Sequence, residues 1–475
     1  MMFEQSAIEW VKNNFANLSY TNIRRRIRIV NLASKMMSFP GQSIPQLCKN
    51  FYEIKAVYNC LGHAETTPDL LQKTHRDLVH KAMENAGEFL LIEDTSDISF
   101  TSKKNKIPGL GSIGNLGKKG QGFLLHSILA VKWDKKTYDS SKKPSVEVLG
   151  IVDQQYTIRK PASKKNGKRE VRSKCSLDEA AVRESALWEN RISKLPQPSV
   201  NKGIRYVRIC DRAADIYEVL YESQKNGFGF VIRATQNRKL NGPLKLFDYA
   251  KLSPILGTFK LSLRARLDKP ARIVELSISA KKVEILSPTR KGFPFGKLPS
   301  ILCSIVRVWE ANPPLGIKPL EWNLLCDQEI ITLDQAINCT MQYACRWIIE
   351  DYHKVLKSGF NSEKLQLESA HKLFAAIAIM GVLALRLIDL RERFRIDSIK
   401  PAKESGLSKL ELKILATYLK RKLKTVMDVN LALGKLGGHI NRKSDGPPGM
   451  MCLWRGLIKL NNLLEGYKLG ILCSS

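Results

Sequence analysis

Three apolar, strand-like segments follow one another early in the chain, and this succession constrains the fold more than any other feature. They are EFLLIEDTSDISF, GFLLHSILAV and VEVLGIVDQQYTI, separated by glycine-rich and lysine-rich segments. Strands joined by loops pair in antiparallel fashion, so we predict a three-stranded meander. A helix pattern, the strand-to-helix pattern IRYVRICDRAADIYEVL and the strand GFGFVIRATQN follow. This order of elements predicts an α/β fold.

Helical patterns flank the strand-rich region, and they suggest how the 475 residues are divided. Residues 1–70 are predicted to form an N-terminal helical domain, and residues 71–392 the core. Within the core, the short alternating segments of residues 240–325 predict an inserted β-rich subdomain. Residues 393–475 are predicted to form a basic, helical C-terminal domain. The apolar run of 13 residues from 373 to 385 is short for a membrane span and predicts a buried core helix.

The net charge of +32 and the pI of about 9.8 favour a polyanionic partner, most simply nucleic acid. An anionic membrane surface is the competing interpretation, but it requires a basic amphipathic helix or a lipidation motif, and neither is clear here. The ten cysteines include no C-x-x-C pair, which predicts reduced thiols in a cytosolic protein.

A cluster of arginines lies in the N-terminal helical segment YTNIRRRIRIVNLASKM. Arginines at the start of a helix suit contacts to DNA phosphates and groove edges. A basic helix end exposed to solvent is an alternative of equal weight. The candidate DNA contacts in this segment are Arg24, Arg25, Arg26 and Arg28.

The segment YACRWIIEDYHKVLKSG contains no proline or glycine before its last residue, so we predict one continuous helix. At about 100° per residue, four of its polar side chains share a stripe about 60° wide. Trp347 borders this stripe. Taken alone, the pattern is better explained by a solvated face with i, i+4 ion pairs than by a site. The four residues of the stripe are Tyr343, Arg346, Glu350 and Lys357.

Two further carboxylates follow apolar strand patterns: Asp94 ends FLLIED, and Asp211 ends RYVRICD. A lone aspartate at a strand end is more often a turn or helix cap. Together with the glutamate of the stripe and the high positive charge, however, the pair predicts a three-carboxylate cluster. Such a cluster can hold two Mg²⁺ ions that act on a phosphodiester. Arg346 and Lys357 would then bind phosphates, and Tyr343 would donate to a phosphate oxygen.

The same residues carry a resemblance to a known family. The spacing Tyr343-x2-Arg346-x3-Glu350-x6-Lys357 matches the Y-R-E-K signature of bacterial cut-and-paste DDE transposases of the insertion-sequence-four type. The resemblance extends over nearly the whole chain, and it is closest to transposases of the kanamycin-resistance composite transposon kind. Other segments that resemble the family are LLIEDTS, ICDRAADIY, LGSIGNLGKKGQGFLLHSILAV, FVIRA, NPPLGIKPLEWNLL and the tail from LGKLGGHI to LWRGLIKL.

The resemblance implies a ribonuclease-H-like, mixed-sheet catalytic core with Asp94, Asp211 and Glu350 as catalytic residues. It implies that these carboxylates bind two Mg²⁺ ions, for which Mn²⁺ is a plausible substitute. It also implies an N-terminal DNA-recognition domain and a C-terminal dimerisation domain. The implied reaction is hydrolysis at the transposon end, a hairpin intermediate and joining of the 3′-hydroxyl to target DNA. The implied partners are double-stranded DNA, as transposon ends and as target, and a second copy in a synaptic homodimer. We expect a cytoplasmic, nucleoid-associated protein with no membrane contact.

Three more residues acquire roles through the resemblance alone. Trp322, in PLEWNLL, resembles the residue on which a flipped base stacks, and Trp347 is a DNA contact that shares this role. Arg233, which closes FVIR, resembles a contact to the DNA end. Without the resemblance, Trp322 is better explained as a core residue and Arg233 as a surface residue of a strand.

The sequence departs from the family pattern at two places. Ala213 stands where the family has an acid after DR, and Leu124 and Leu125 replace an aromatic pair before HS. Neither change removes a predicted metal ligand, but both bear on hairpin formation. His126, within an apolar run, is predicted to be a core histidine.

Two other functions fit parts of the pattern. A metal-dependent DNA nuclease would use the same three acids, but simple hydrolysis requires neither Trp322 nor the C-terminal tail. A non-catalytic DNA-binding derivative of a transposase would keep the basic charge and tolerate loss of the acids. The presence of all three acids disfavours this derivative.

Overall fold

The computed structural model has a large mixed β-sheet at its centre. The structure describes residues 7–100, 106–113, 120–134, 144, 146–159, 164–165, 168–169, 184–189, 192, 195–263, 272–288, 298–442 and 445–474. Its strands are β1 Gly87–Phe100, β2 Gly111–Ser112, β3 Gln121–Trp133, β4 Glu147–Thr157, β5 Lys164–Lys165, β6 Lys168–Arg169, β7 Ile204–Cys210, β8 Gly229–Arg233, β9 Ile255–Leu263, β10 Arg272–Ile285, β11 Ile301–Trp309 and β12 Glu321–Cys326.

Along the chain, helices precede the strands of this sheet, separate some of them and follow the last one. They are α1 Ala7–Phe15, α2 Ile23–Ser38, α3 Ile44–Leu47, α4 Phe51–Leu61, α5 Pro68–Met83, α6 Glu184–Glu189, α7 Tyr217–Lys225, α8 Leu246–Lys251, α9 Leu333–Ala344, α10 Trp347–Lys354, α11 Ala370–Ile396, α12 Lys409–Tyr418, α13 Val426–Leu436 and α14 Met450–Ser474.

The large sheet has the strand order β2-β3-β1-β7-β8-β12-β11-β10-β9, and β4 also pairs with β3. β1, β3 and β4 form the antiparallel meander that the sequence predicts. β1, β7 and β8 pair in parallel, and β8 then pairs antiparallel with β12. A mixed α/β sheet with helices at both ends of the chain is therefore confirmed. β9 to β12 extend the same sheet, and the division at 240–325 stays a prediction.

The two faces of the sheet are covered by different helices because side chains alternate along each strand. Ile92 and Ile209 point to the large core that also contains residues of α9, α10 and α11. Cys210 and Ile232 point to the opposite core, which contains residues of α6 and α7. Neighbouring residues of one strand thus meet different surroundings.

Helix α11 is the apolar centre of the protein. It contacts α1, α2, α5, β4, α10 and α14. Among the described residues it is the one helix long and apolar enough to cross a membrane, but 94% of its apolar window is buried inside the protein. The prediction of a buried core helix is confirmed.

The N-terminal helices are anchored to the core by a buried polar contact. The backbone amide of Ile151, in β4, donates to Nε2 of His75 at 3.0 Å, so the ring proton lies on Nδ1. That nitrogen donates to Oδ1 of Asn14, in α1, at 2.7 Å. Burial lowers the pKa of His75 to about 3, which keeps the ring neutral at physiological pH.

Candidate functional site

Parallel pairing of β1 with β7 brings two of the predicted acids to adjacent positions. The last pair of this ladder joins Glu93 to Cys210, and the residues that come next along the chain are Asp94 and Asp211. Both aspartates follow an isoleucine of the large core by two residues, so they lie on the face covered by α9 to α11. The sheet therefore brings together two carboxylates that are more than 100 residues apart in sequence.

Each aspartate is oriented by a local backbone hydrogen bond. Oδ1 of Asp94 accepts from the amide of Thr95 at 2.8 Å, and Oδ1 of Asp211 accepts from the amide of Ala213 at 2.8 Å. Asp211 thus caps the short 3₁₀ turn Arg212–Ala214. Since the bond to residue 213 uses only the backbone, the alanine that departs from the family pattern still supports Asp211.

The third acid, Glu350, reaches the same region from α10, which packs against β1. Burial raises the pKa of the Asp94 carboxyl to about 6; the Asp211 and Glu350 carboxylates add to the rise, while the Thr95 amide and Arg346 oppose it. Asp211 and Glu350 are therefore both close enough to Asp94 to act on its charge. Oε1 of Glu350 lies 2.7 Å from Nη2 of Arg346 in an ion pair.

Three carboxylates are the hard oxygen donors that Mg²⁺ and Mn²⁺ prefer, so the donor chemistry fits a divalent cation. Burial and the nearby carboxylates raise the pKa of Asp94, and a bound cation would favour its charged form. In the described part of the chain, however, no three His, Cys, Asp or Glu side chains are gathered closely enough to hold a metal. The ion pair with Arg346 occupies the carboxylate of Glu350.

The prediction of one continuous helix from Tyr343 to Ser358 is wrong. α9 ends at Ala344, α10 begins at Trp347, and Val355–Gly359 forms a π-helical turn. The amides of residues 345, 346, 348 and 349 bond to carbonyls three residues earlier, which tightens the chain between the two helices. The stripe is therefore distributed over three elements.

Arg346 lies at this junction, between two aromatic rings and the acids. Its guanidinium carbon is 5.9 Å from the ring centre of Tyr343 and 5.3 Å from that of Trp347. Its buried Nε has no hydrogen-bond acceptor among the described residues. Tyr343 is 7% exposed, and burial raises the pKa of its hydroxyl against the opposing charges of Arg346 and Arg233. Trp347 is 42% exposed and open to a ligand.

The structure does not bring Lys357 to the acids. Its Nζ lies 4.0 Å from Oε1 of Glu363, a carboxylate that accepts from the amide and hydroxyl of Ser99. Ser99 is five residues beyond Asp94 on β1, roughly 17 Å along the strand. Lys357 can therefore contact a phosphate at some distance from the carboxylates, but not between them.

Arg233 and Trp322 lie on the other side of Asp211. Cys210 pairs with Ile232, so Arg233, the last residue of β8, lies beside Asp211. Nη2 of Arg233 donates to the carbonyl of Glu321 at 3.1 Å, next to the partly buried Trp322, which packs against the large core. In contrast, Leu124 and Leu125 are buried core residues, so these positions present no side chain to DNA.

The N-terminal arginines differ in their surroundings. Arg24 is exposed at the start of α2, whereas Arg26 and Arg28 are half-buried. Nη1 of Arg25 lies 3.1 Å from Oε2 of Glu65, so this arginine is already engaged in an ion pair. The three others are better placed to meet an external phosphate.

Residues 7–66 match a family model described as transposase DNA-binding. This match covers α1 to α4 and contains all four N-terminal arginines. It supports a DNA-binding transposase and makes DNA a partner of this domain. The positive charge of the chain agrees with such a partner.

Two supporting groups escaped the sequence analysis. The buried Asp215 accepts from the amides of Thr235 and Gln236 at 2.6 and 2.7 Å, which ties the segment after Asp211 to the segment after β8. The buried amide of Gln154 donates at 2.9 Å to Ser127, the register partner of Asp94, and at 2.9 Å to Tyr352 of α10. Gln154 lies between Asp153 and Gln155 in the sequence, so no local pattern distinguished it.

Proposed function

We propose that the protein is a DNA transposase that cleaves transposon ends and joins their 3′-hydroxyls to target DNA. The observation that carries the proposal is the placement of Asp94 and Asp211 at the ends of the paired part of two adjacent strands, next to Glu350 on the helix that covers them. The transposase DNA-binding match at residues 7–66 supports the same function. A nuclease would share the acids, and a binding derivative would share only the match.

The strand order supports a ribonuclease-H-like core. β4, β3, β1, β7 and β8 lie side by side, with two antiparallel pairs followed by two parallel pairs. The candidate acids lie on the central strand of these five and directly after its parallel neighbour. This is where side chains of two strands and a covering helix can meet one phosphodiester.

We assign Asp94, Asp211 and Glu350 to the binding of two divalent cations, Mg²⁺ or its substitute Mn²⁺. When bound, such cations activate a water or a 3′-hydroxyl and stabilise the leaving oxygen. Oε1 of Glu350 is paired with Arg346, and this pair competes with cation binding at that oxygen. A phosphate oxygen would compete for that guanidinium, since Arg binds phosphate in the same bidentate manner as carboxylate. DNA binding would in this way release Glu350 to the acids.

The surrounding residues would hold the DNA end. Arg346 and Arg233 supply cations beside the acids, Tyr343 a buried hydroxyl, and Lys357 a phosphate contact farther along β1. A hairpin intermediate requires an end base to leave the stack, and Trp322 is the candidate on which it stacks. The exposed Trp347 would cover the same DNA end.

A homodimer would place two DNA ends in one complex, and α14 offers the surface for it. Its last two turns extend beyond the buried part of the helix and expose large apolar side chains: Tyr467, Leu469, Ile471 and Leu472. Exposed apolar helix faces commonly serve association. We expect the enzyme in the cytoplasm, in contact with the bacterial nucleoid.

The deciding experiment incubates the full chain with Mg²⁺ and a linear duplex that carries the terminal repeat from DNA flanking the gene. Hairpin-ended products that disappear in Asp94→Ala support transposition. Asp97→Ala, a change on the same strand, is the matched control and should cleave normally. Random nicking would favour the nuclease, and a salt-dependent gel shift without cleavage would favour the binding derivative.

A further inference from the structure

A buried ion pair lies behind Asp94 and Asp211, on the opposite face of the sheet. Glu93 is 0% exposed and Arg208 is 1% exposed. Nε of Arg208 donates to Oε1 of Glu93 at 2.6 Å, and its Nη2 donates to Oε2 at 2.7 Å. Two parallel hydrogen bonds between planar groups fix their relative orientation as well as their distance.

The remaining donors of Arg208 tie the pair to the helices behind the sheet. Nη1 donates to the hydroxyl of Ser223, in α7, at 3.0 Å, and Nη2 donates to the carbonyl of Trp188, in α6, at 3.0 Å. The pair therefore joins β1 and β7 to both helices of this face. Because desolvation offsets most of the attraction, a buried ion pair contributes little net stability relative to apolar side chains. Its position calls for another explanation.

The position of the pair relates it to the register of the two strands. Glu93 directly precedes Asp94, and Arg208 lies three residues before Asp211. The hydrogen bonds of a parallel ladder are evenly spaced, so the backbone alone discriminates weakly between registers. A slip of one residue would turn the side chains of one strand to the other face of the sheet, which would separate Glu93 from Arg208 and Asp94 from Asp211.

We propose that Glu93 and Arg208 are positioning residues that hold Asp94 and Asp211 in register for joint binding of a divalent cation. The inference rests on the proposed function for the identity of the acids as metal ligands. Its consequence, a change in cation affinity, is measurable without any DNA reaction.

Arg205 provides a matched control on the same strand. Its Nη2 donates to both carboxylate oxygens of Asp327, which follows β12. The distances are 2.8 Å to Oδ2 and 3.0 Å to Oδ1. Arg205 lies roughly 10 Å along β7 from Arg208, farther from the acids. Arg205→Met therefore removes a similar ion pair without disturbing the proposed register.

The test uses the double variant Glu93→Leu/Arg208→Met, which removes both charges together and leaves neither uncompensated. Free Mn²⁺ is titrated with each full-length protein and followed by its paramagnetic resonance signal; Asp94→Asn/Asp211→Asn defines the background. We expect Arg205→Met to bind as the wild type does, and the double variant to bind at least tenfold more weakly with a similar melting temperature. Should the double variant not fold, Arg208→Lys keeps the charge, loses the paired hydrogen bonds and should bind at least threefold more weakly.

Unchanged Mn²⁺ affinity in the folded variant would overturn the positioning role, and so would wild-type binding no greater than the background. In a protein that binds Mn²⁺ with the expected pattern but leaves DNA intact, the positioning role stands and the transposase proposal fails. In an active protein, the Mn²⁺ concentration for half-maximal cleavage should rise in the double variant by the same factor as the dissociation constant.

Discussion

Glu93 and Asp94 are consecutive residues of one strand, yet their carboxylates lie in opposite electrostatic conditions. Glu93 is fully buried and bonded at both oxygens to Arg208. Asp94 faces Asp211 and Glu350, and its pKa is raised to about 6 by burial and by these neighbours. The protein neutralises one carboxylate internally and leaves the other short of positive charge. This difference is what the proposed binding of a cation by Asp94 would explain.

The largest effect should come from neutralising Asp94. Asp94→Asn should lower the cleavage rate by about 10³-fold or more, because the cation loses a charged ligand. The same change should raise the melting temperature at pH 7.5, because the cost of burying the charge and its repulsion from Asp211 and Glu350 both disappear. Single-turnover cleavage and thermal unfolding measure the two effects. A loss of both activity and stability would show that Asp94 has a structural role like that of Glu93.

Neutralising Glu93 should lower the stability of the protein, whereas neutralising Asp94 should raise it. Glu93→Gln leaves Arg208 buried without a counter-charge, and we expect a loss of about 3–5 kcal/mol in the free energy of unfolding. Lys73→Gln breaks a pair whose side chains are both more than 60% exposed, and it should change that free energy by less than about 1 kcal/mol. Urea unfolding at pH 7.5 distinguishes them. If the two substitutions change the free energy of unfolding equally, the buried pair of Glu93 is no more important for stability than an exposed pair.

The pH dependence of cation binding should report Asp94 directly. Below pH 6 the free protein carries a proton on Asp94 that must leave before a cation binds, so affinity should fall about tenfold per pH unit. The sign for stability is the reverse: a raised carboxyl pKa stabilises the fold at low pH, and this contribution is lost as pH rises through about 6. Mn²⁺ titrations between pH 5 and 8 measure the first effect, and Asp94→Asn should abolish it.

The smallest effect is expected in the N-terminal domain, where an exposed arginine can be compared with one in an ion pair. Arg24 is exposed, whereas Arg25 is paired with Glu65. Arg24→Ala should reduce the slope of log affinity for DNA against log salt by about 1, and Arg25→Ala should reduce it less. Gel shifts at several salt concentrations test this. If Arg25→Ala has the larger effect, Glu65 gives up its partner when DNA binds.

The sequence predicted the parts of the site that depend on local pattern. Asp94 and Asp211 could be placed because each follows a short apolar strand, and the antiparallel meander because three such strands are joined by loops. The break between α9 and α10 could not be predicted, since no proline or glycine marks it and packing of the two helices decides where the chain turns. The π-helical turn that contains Lys357 could not be predicted for the same reason.

The ion pair between Glu93 and Arg208 could not be predicted from the sequence either, because the two residues are 115 positions apart. The signal that existed was a charged residue inside an apolar strand on each side: Glu93 in LLIED and Arg208 in YVRIC. A charge at such a position must find a counter-charge when the strand is buried. The sequence does not reveal the register of the strands. It therefore does not show which of the neighbouring acids Glu93 and Asp94 faces which side of the sheet.

The contact between Asn14 and His75 has a consequence for the geometry of the whole reaction. Because α1 is bonded to the core through a buried histidine and packs on α5 and α11, the helices that match the DNA-binding family are not a module on a flexible tether. DNA gripped by these helices would meet the carboxylates at a set span. The structure of the protein would then determine the number of base pairs between the recognised sequence and the cut.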